Sequence, residues 1–165
     1  APLSKENGSL GCRFSLASPS VATLDSGPIR DYTRLPNPPE KKTMIGYVMI
    51  GTNDLPRAKG FYDALLAEIG AKQIMDFGRS VAYGVSMDKP ALGVGTPFDG
   101  KPATVGNGVM VALVVDSKEK VDRLYKKALA LGGTDEGPPG PRFDNFYAAY
   151  FRDLDGNKLN AFFMG

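Results

Sequence analysis

Histidine is absent from the 165-residue chain, and cysteine occurs once, at Cys12. Zinc, iron and copper sites lean on imidazole or thiolate, and imidazole is the usual general base near neutral pH. The commonest tools of metal and acid–base chemistry are therefore missing. A lone cysteine forms no internal disulfide, gives no sign of an oxidising compartment, and without an imidazole has no base to make it a nucleophile. No stretch approaches the roughly 18 to 20 apolar residues that a membrane span needs. The expectation is a cytoplasmic protein with no membrane partner. Charge of one sign is also scarce. The net charge is +2, but residues 1–43 hold six basic and four acidic side chains, leaving fourteen of each in residues 44–165. A neutral body without a basic stripe offers no electrostatic footprint for nucleic acid, and that class is set aside.

What remains, 42% hydrophobic and 23% charged residues, fits one globular domain with a single core. Residues 1–43 read differently, with six prolines, six serines and no sustained periodicity, and they end in LPNPPEKKT. They read as an accessory tail or linker, whether leader, fusion remnant or transit-like extension. Phe14, Leu16, Val21 and Leu24 are its expected anchors on the domain, which spans residues 44–165.

That domain contains an internal repeat, with modules at about 44–98 and 107–165. At an offset of 63 residues, Val48 and Ile50 fall on Val111 and Leu113. At the same offset Ala58, Phe61, Tyr62, Leu65, Leu66 and Gly70 fall on Val121, Leu124, Tyr125, Ala128, Leu129 and Gly133. The spacing i, i+3, i+4, i+7, i+8 is one apolar helical face, followed by a glycine where a left-handed C-cap is wanted. Asn53 or Asp54 is expected to open the first helix, and Asp116 with Glu119 the second. Beyond the helices the offset becomes 67, placing Tyr83 on Tyr150, Asp88 on Asp155, Leu92 on Leu159 and Gly93 on Asn160. MDKPA and LDGNK are hairpin turns. The fold class is α+β, two tandem βαβββ modules.

The strings GYVMIGTNDLPRAKGFYDALL, VMVALVVDSKEKVDRLYKKAL and YAAYFRDLDGNKLNAF resemble the glyoxalase, bleomycin-resistance and extradiol-dioxygenase superfamily, also called vicinal oxygen chelate proteins. The likeness runs from about Met44 to Phe163. It implies paired modules forming a cupped mixed sheet around a cleft, commonly with a divalent metal in it and often as a dimer, so a homodimer stays open here.

In catalytic relatives, histidines, a glutamine or glutamates hold that metal. The resemblance puts Tyr47, Gly93, Met110 and Asn160 at those positions. Strand parity agrees: Val48 and Ile50 face the helices, so Tyr47 and Met49 face away, as do Met110 and Ala112. A phenol, a thioether, an amide and a glycine supply neither carboxylate nor imidazole, so no metal cofactor is expected. The cleft is expected to be lined by Tyr47, Met49, Tyr83, Met110, Tyr150 and Asn160, a surface suited to a flat or amphipathic organic ligand. Each aromatic among them also fits simple core packing, and Tyr62 and Tyr125 are assigned to packing outright. Tyr150 resembles the cleft tyrosine with which some dioxygenase relatives hydrogen-bond substrate. Arg79 and Arg142 are expected near the cleft as anion ligands, with Arg152 more of a turn partner. Asp144 is the one carboxylate placed at its mouth. GPPGPRFDNF reads equally as a flap or a rigid connector. The preferred reading is a metal-free, small-molecule-binding member of the superfamily. A diverged lyase, isomerase or dioxygenase is the enzymatic alternative, and a scaffold with a filled cleft the third.

Overall fold

In the computed structural model, which describes residues 44–165, the strand–helix–three-strand order occurs twice. The first module runs β1 (Tyr47–Gly51), α1 (Leu55–Leu66), β2 (Lys72–Asp76), β3 (Ser80–Gly84) and β4 (Ala91–Gly95). The second runs β5 (Val111–Val114), α2 (Lys118–Ala130), β6 (Thr134–Phe143), β7 (Phe146–Arg152) and β8 (Lys158–Met164). Each makes a four-stranded mixed sheet, ordered β1-β4-β3-β2 and β5-β8-β7-β6, with the first pair of each parallel. Because β1 and β2 are opposite edges of their sheet, the intervening helix must cross one face and leaves the other open. The second module repeats this. The expected tail anchors Phe14, Leu16, Val21 and Leu24 lie outside the described residues. Among the described residues, no helix is long and apolar enough to cross a membrane.

The helix ends differ in part from the sequence-based expectation. Asp54 caps α1, its carboxylate accepting from Arg57 N at 3.0 Å, while Asn53 makes paired bonds to the Ala103 backbone at 3.1 and 2.7 Å. For α2 the cap is Ser117, whose hydroxyl accepts from Lys120 N at 3.3 Å. Asp116, expected to open the helix with Glu119, instead takes the Lys120 ammonium at 2.6 Å. After the first helix Gly70 adopts the expected left-handed conformation, φ 73°. After the second that role falls to Gly132, φ 95°, one residue before the expected Gly133. A Cβ on Gly133 would stand 2.7 Å from the Arg152 carbonyl, so this glycine serves close approach to β7.

The apolar helix faces are where periodicity put them. Ala58, Phe61, Tyr62, Leu65 and Leu66 of α1 and Val121, Leu124 and Ala128 of α2 are buried in one core with Ile50, Val94, Phe151 and Leu159. Each large side chain fully buried this way contributes about 1.5–3 kcal/mol of transfer free energy. Pairing then sorts the strands. Val48 and Ile50 sit opposite Leu92 and Val94, and Val111 and Leu113 opposite Leu159 and Ala161, all on the helix side.

Tyr83 is a correction. It pairs with Leu92, a helix-side residue, and is 1% exposed, its ring centroid 6.0 Å from that of Tyr62. Tyr150 instead pairs with Asn160 on the open side, so the first-module counterpart of Tyr150 is Ala82, which pairs with Gly93. Between paired positions the β3–β4 hairpin is one residue longer than the β7–β8 hairpin, and a shift of one residue exchanges the faces of a strand.

The LDGNK turn does more than reverse the chain. Asp153 is buried, and its carboxylate accepts from Asp155 N at 3.0 Å, Asn157 N at 2.8 Å, Asn157 Nδ2 at 2.8 Å and, from the other module, the Tyr62 hydroxyl at 2.6 Å. Asp155 accepts from the Thr52 hydroxyl at 2.7 Å, Asn53 N at 3.1 Å and the Arg57 guanidinium at 3.0 Å. Asn157 Nδ2 also donates to Gly51 O at 2.8 Å. The second hairpin thus closes over the β1–α1 junction, whereas the matching turn of the first module holds local contacts such as the Ser86–Asp88 bond of 2.6 Å and the Lys89–Asp88 ion pair of 3.5 Å.

Candidate ligand-binding faces

Alternation along β1 brings Tyr47 and Met49 to the open side of the first sheet, and both are largely exposed, at 70% and 51%. One register row there reads Met49, Gly93, Ala82, Met75 across β1, β4, β3 and β2. The Met49 sulfur fills the space that a Cβ on Gly93 would need. Small residues at the centre, with the flexible Met49 thioether folded over Gly93, make this face a shallow trough whose floor is deformable.

The open side of the second sheet is bulkier and charged. Tyr150 lies beside Gly137, where a Cβ would stand 3.2 Å from the Tyr150 ring and 3.5 Å from the Arg142 guanidinium. The Arg142 guanidinium sits 5.3 Å from the Tyr150 ring centre, and the Lys158 ammonium 5.6 Å. Arg142 Nη2 also donates to Pro138 O at 2.6 Å. Glu136 bridges two further donors, accepting from Arg152 Nε at 2.6 Å and Lys158 Nζ at 3.1 Å. Arg152 first and Lys158 second hold its carboxyl below the usual glutamate range. Further along the same strands, four residues from Tyr150 and two from Asn160, Phe146 stacks on Phe162 with centroids 5.3 Å apart, and Phe143 lies 5.8 Å from Phe146.

Of the expected site residues, Tyr150, Asn160 and Arg142 therefore share the second sheet's open side, and Met110, 43% exposed, immediately precedes β5. Tyr47 and Met49 share the first sheet's. Tyr83 belongs to the core. Arg79 is a second correction: at the β2–β3 turn its guanidinium donates to Thr96 O at 2.9 Å and stacks over Phe98 at 5.0 Å. It lines a groove of about 530 Å³ with Asn53, Asp54, Leu55, Lys59 and Thr96, beside the start of α1. None of the open-face residues lines that groove. Asp144 is exposed at the β6–β7 turn, and GPPGPRF is the body of β6, an edge strand that tolerates its prolines, rather than a flap. Lys158, Phe146 and Phe162 were missed, although parity marks them: they stand two or four residues from Asn160 and Tyr150 on the same strands.

The positions that the resemblance gives to metal ligands do not suit a divalent ion. Gly93 has no donor, and Asn160, 1% exposed, offers only a neutral amide oxygen, its nitrogen donating to Ala149 O at 3.1 Å. Met110 and Tyr47 add a thioether and a phenol. Among the described residues, no group of three or more histidine, cysteine, aspartate or glutamate side chains is placed to hold a metal.

Comparison with known proteins follows the same boundaries. The family model described as Glyoxalase/Bleomycin resistance protein/Dioxygenase superfamily matches residues 44–161. A crystal structure of a glyoxalase/bleomycin resistance protein from Albidiferax ferrireducens is 41% identical, covers 73% of this chain and 98% of its own, and superposes with a TM-score of 0.67. A hypothetical protein from S. aureus is 26% identical over 74% of this chain and 93% of its own, TM-score 0.58. A fosfomycin resistance protein from Mesorhizobium loti, 17% identical over 75% of this chain and 93% of its own with a TM-score of 0.55, shares the fold. Among curated proteins, no sequence matches significantly.

Proposed function

The chain belongs to the glyoxalase/bleomycin resistance protein/dioxygenase superfamily, and from that premise we propose that it binds a small aromatic or amphipathic organic molecule without a metal. The observation that carries this reading is the donor set of the open faces. Where catalytic relatives are expected to place metal ligands, this chain has Tyr47, Gly93, Met110 and Asn160, and the aromatic and thioether groups of Tyr47, Met49 and Met110, of the kind that line organic-ligand sites, stand exposed. A ligand held by such groups is bound by burial and a few hydrogen bonds.

The two open faces belong to different sheets, and Tyr47, Met49 and Met110 are exposed in the single chain. Apolar faces of this kind are costly to leave in water. The reading therefore includes a homodimer, in which the trough of one copy's first sheet is covered by the bulkier second sheet of its partner and the ligand lies between them.

Metal analysis of the purified protein after incubation with nickel, zinc and iron, paired with a thermal-shift screen of aromatic compounds, tests the reading. The expected result is less than stoichiometric metal and upward shifts that grow with ligand concentration, since a ligand of the native state stabilises it by mass action. Stoichiometric tightly held metal, or a screen in which no compound stabilises the protein, overturns it.

A further inference from the structure

The cations around Tyr150 form a built feature of the second sheet that the general reading does not use. From them we infer that the ligand is an organic anion, with a carboxylate or phosphoryl head seated between Arg142 and Lys158 and an aromatic body on Phe162. This rests on the proposal that the open faces bind a small molecule.

The head site is prepared by β6. That strand slips register against β7 between Asp135 and Gly137, between Gly137 and Gly140, and again between Pro141 and Phe143. Pro141 pairs with helix-side Tyr147, so alternation turns the next residue, Arg142, to the open side, on a strand bent by these irregularities. The guanidinium lies along the backbone of the two glycines of this strand. A Cβ on Gly137 would lie 3.5 Å from one guanidinium nitrogen and a Cβ on Gly140 3.3 Å from another. The Pro138 carbonyl fixes the guanidinium at 2.6 Å.

Charge in this cradle is not balanced. Glu136 is shared between Arg152 and Lys158, and Arg142 has no carboxylate partner among the described residues. Three cations thus answer to one carboxylate, and the Tyr150 hydroxyl is a further donor on the same side. An anion here gains charge-assisted hydrogen bonds from a planar guanidinium and an ammonium. The spacing also defines the rest of the ligand. Phe162 stands two residues along β8 from Asn160, the partner of Tyr150, which at the strand rise is about 7 Å. A fused aromatic ring carrying an anionic head spans that distance.

The full-length protein is titrated calorimetrically with 2-naphthoate, 2-naphthyl phosphate and the neutral 2-naphthalenemethanol. At low salt both anions are expected to bind about tenfold or more tighter than the alcohol, with the margin shrinking as ionic strength rises. The tighter of the two identifies the head group. R142Q and K158Q should each lose roughly tenfold for the anions and little for the alcohol, while R142K retains most of the preference. Equal affinity of alcohol and anions, or an R142Q variant that keeps the full preference, overturns the anion assignment and leaves the small-molecule reading standing. Failure of all three compounds to bind the wild-type protein overturns both.

Discussion

The Tyr62 hydroxyl of the first module donates a 2.6 Å hydrogen bond to the buried carboxylate of Asp153 in the last hairpin of the second. Burial first, and the neighbouring Asp153 charge second, push the Tyr62 phenol well above its usual range. Through this bond the core of one module depends on the turn of the other.

Tyr62→Phe is therefore expected to destabilise the protein by about 1–3 kcal/mol. Asp153→Ala should cost more, because Tyr62, Asp155 and Asn157 lose their shared acceptor together. The pH dependence has a definite sign. A phenol raised in the folded state keeps its proton while the unfolded chain loses it, so this contribution is intact below about pH 10 and declines as pH rises beyond. Urea unfolding from pH 7 to 11 should show that decline in the wild type and a shallower one in Tyr62→Phe. Equal alkaline slopes would refute the assignment.

Glu136 gives the opposite sign. Its carboxyl is held low by Arg152 and then Lys158, so the stability it adds is present above the ordinary carboxylate range and is lost as pH falls through the lower folded value. Glu136→Gln should match the wild type most closely near pH 3 and fall behind as pH rises past about 5. Because the pair is exposed, 0.5 M salt should narrow that gap. A gap that is constant across pH would assign Glu136 a packing role instead.

How far these features can be read from sequence depends on how local they are. The two helix faces were legible because five positions at helical spacing repeat at a fixed offset, and β1 was legible because Val48 and Ile50 anchor its parity. On β3 the same reasoning failed. One extra residue in the MDKPA hairpin shifts its register, and an alignment that matches tyrosine to tyrosine hides the shift. Glu136 reaches partners 16 and 22 residues away, and Asp153 reaches Tyr62 91 residues back. No local pattern announces such pairs. LDGNK was recognisable as a turn, while its role in closing the modules over each other is visible only once both are folded.

The exchange of faces makes Tyr83 and Tyr150 a matched pair. Tyr83 packs on Tyr62 and its hydroxyl reaches Lys59 O, at 3.5 Å, and the Asp63 carboxylate, whereas Tyr150 stands beside Arg142 and Lys158 on the open side. Tyr83→Phe should leave the affinity for 2-naphthoate unchanged and shift stability by about 1 kcal/mol or less. Tyr150→Phe should leave stability nearly intact and weaken 2-naphthoate by roughly two- to tenfold, the worth of one hydroxyl. Calorimetry and urea unfolding on both variants decide it, and a binding loss confined to Tyr83→Phe would return that residue to the site.

Met49 offers the sharpest test of the assembly. Its sulfur lies over Gly93 at the centre of the first sheet's open side, yet 51% of the residue is exposed in the single chain. If the second sheet of another copy covers this trough, a lysine there sets one more cation against a face on which Arg142, Arg152 and Lys158 already outnumber Glu136, and an unpaired buried charge costs several kcal/mol. In the isolated chain the same lysine can reach water along its own stem, so the fold should change by about 0.5 kcal/mol or less. Sedimentation equilibrium at micromolar concentration should therefore find a wild-type dimer and a Met49→Lys monomer with nearly the same thermal unfolding. The helix-side variant Arg123→Ala serves as the control, since its partner Glu68 lies in its own chain 3.7 Å away, and it should remain dimeric. A monomeric wild type, or a Met49→Lys protein that stays dimeric, would mean that this face is closed in some other way.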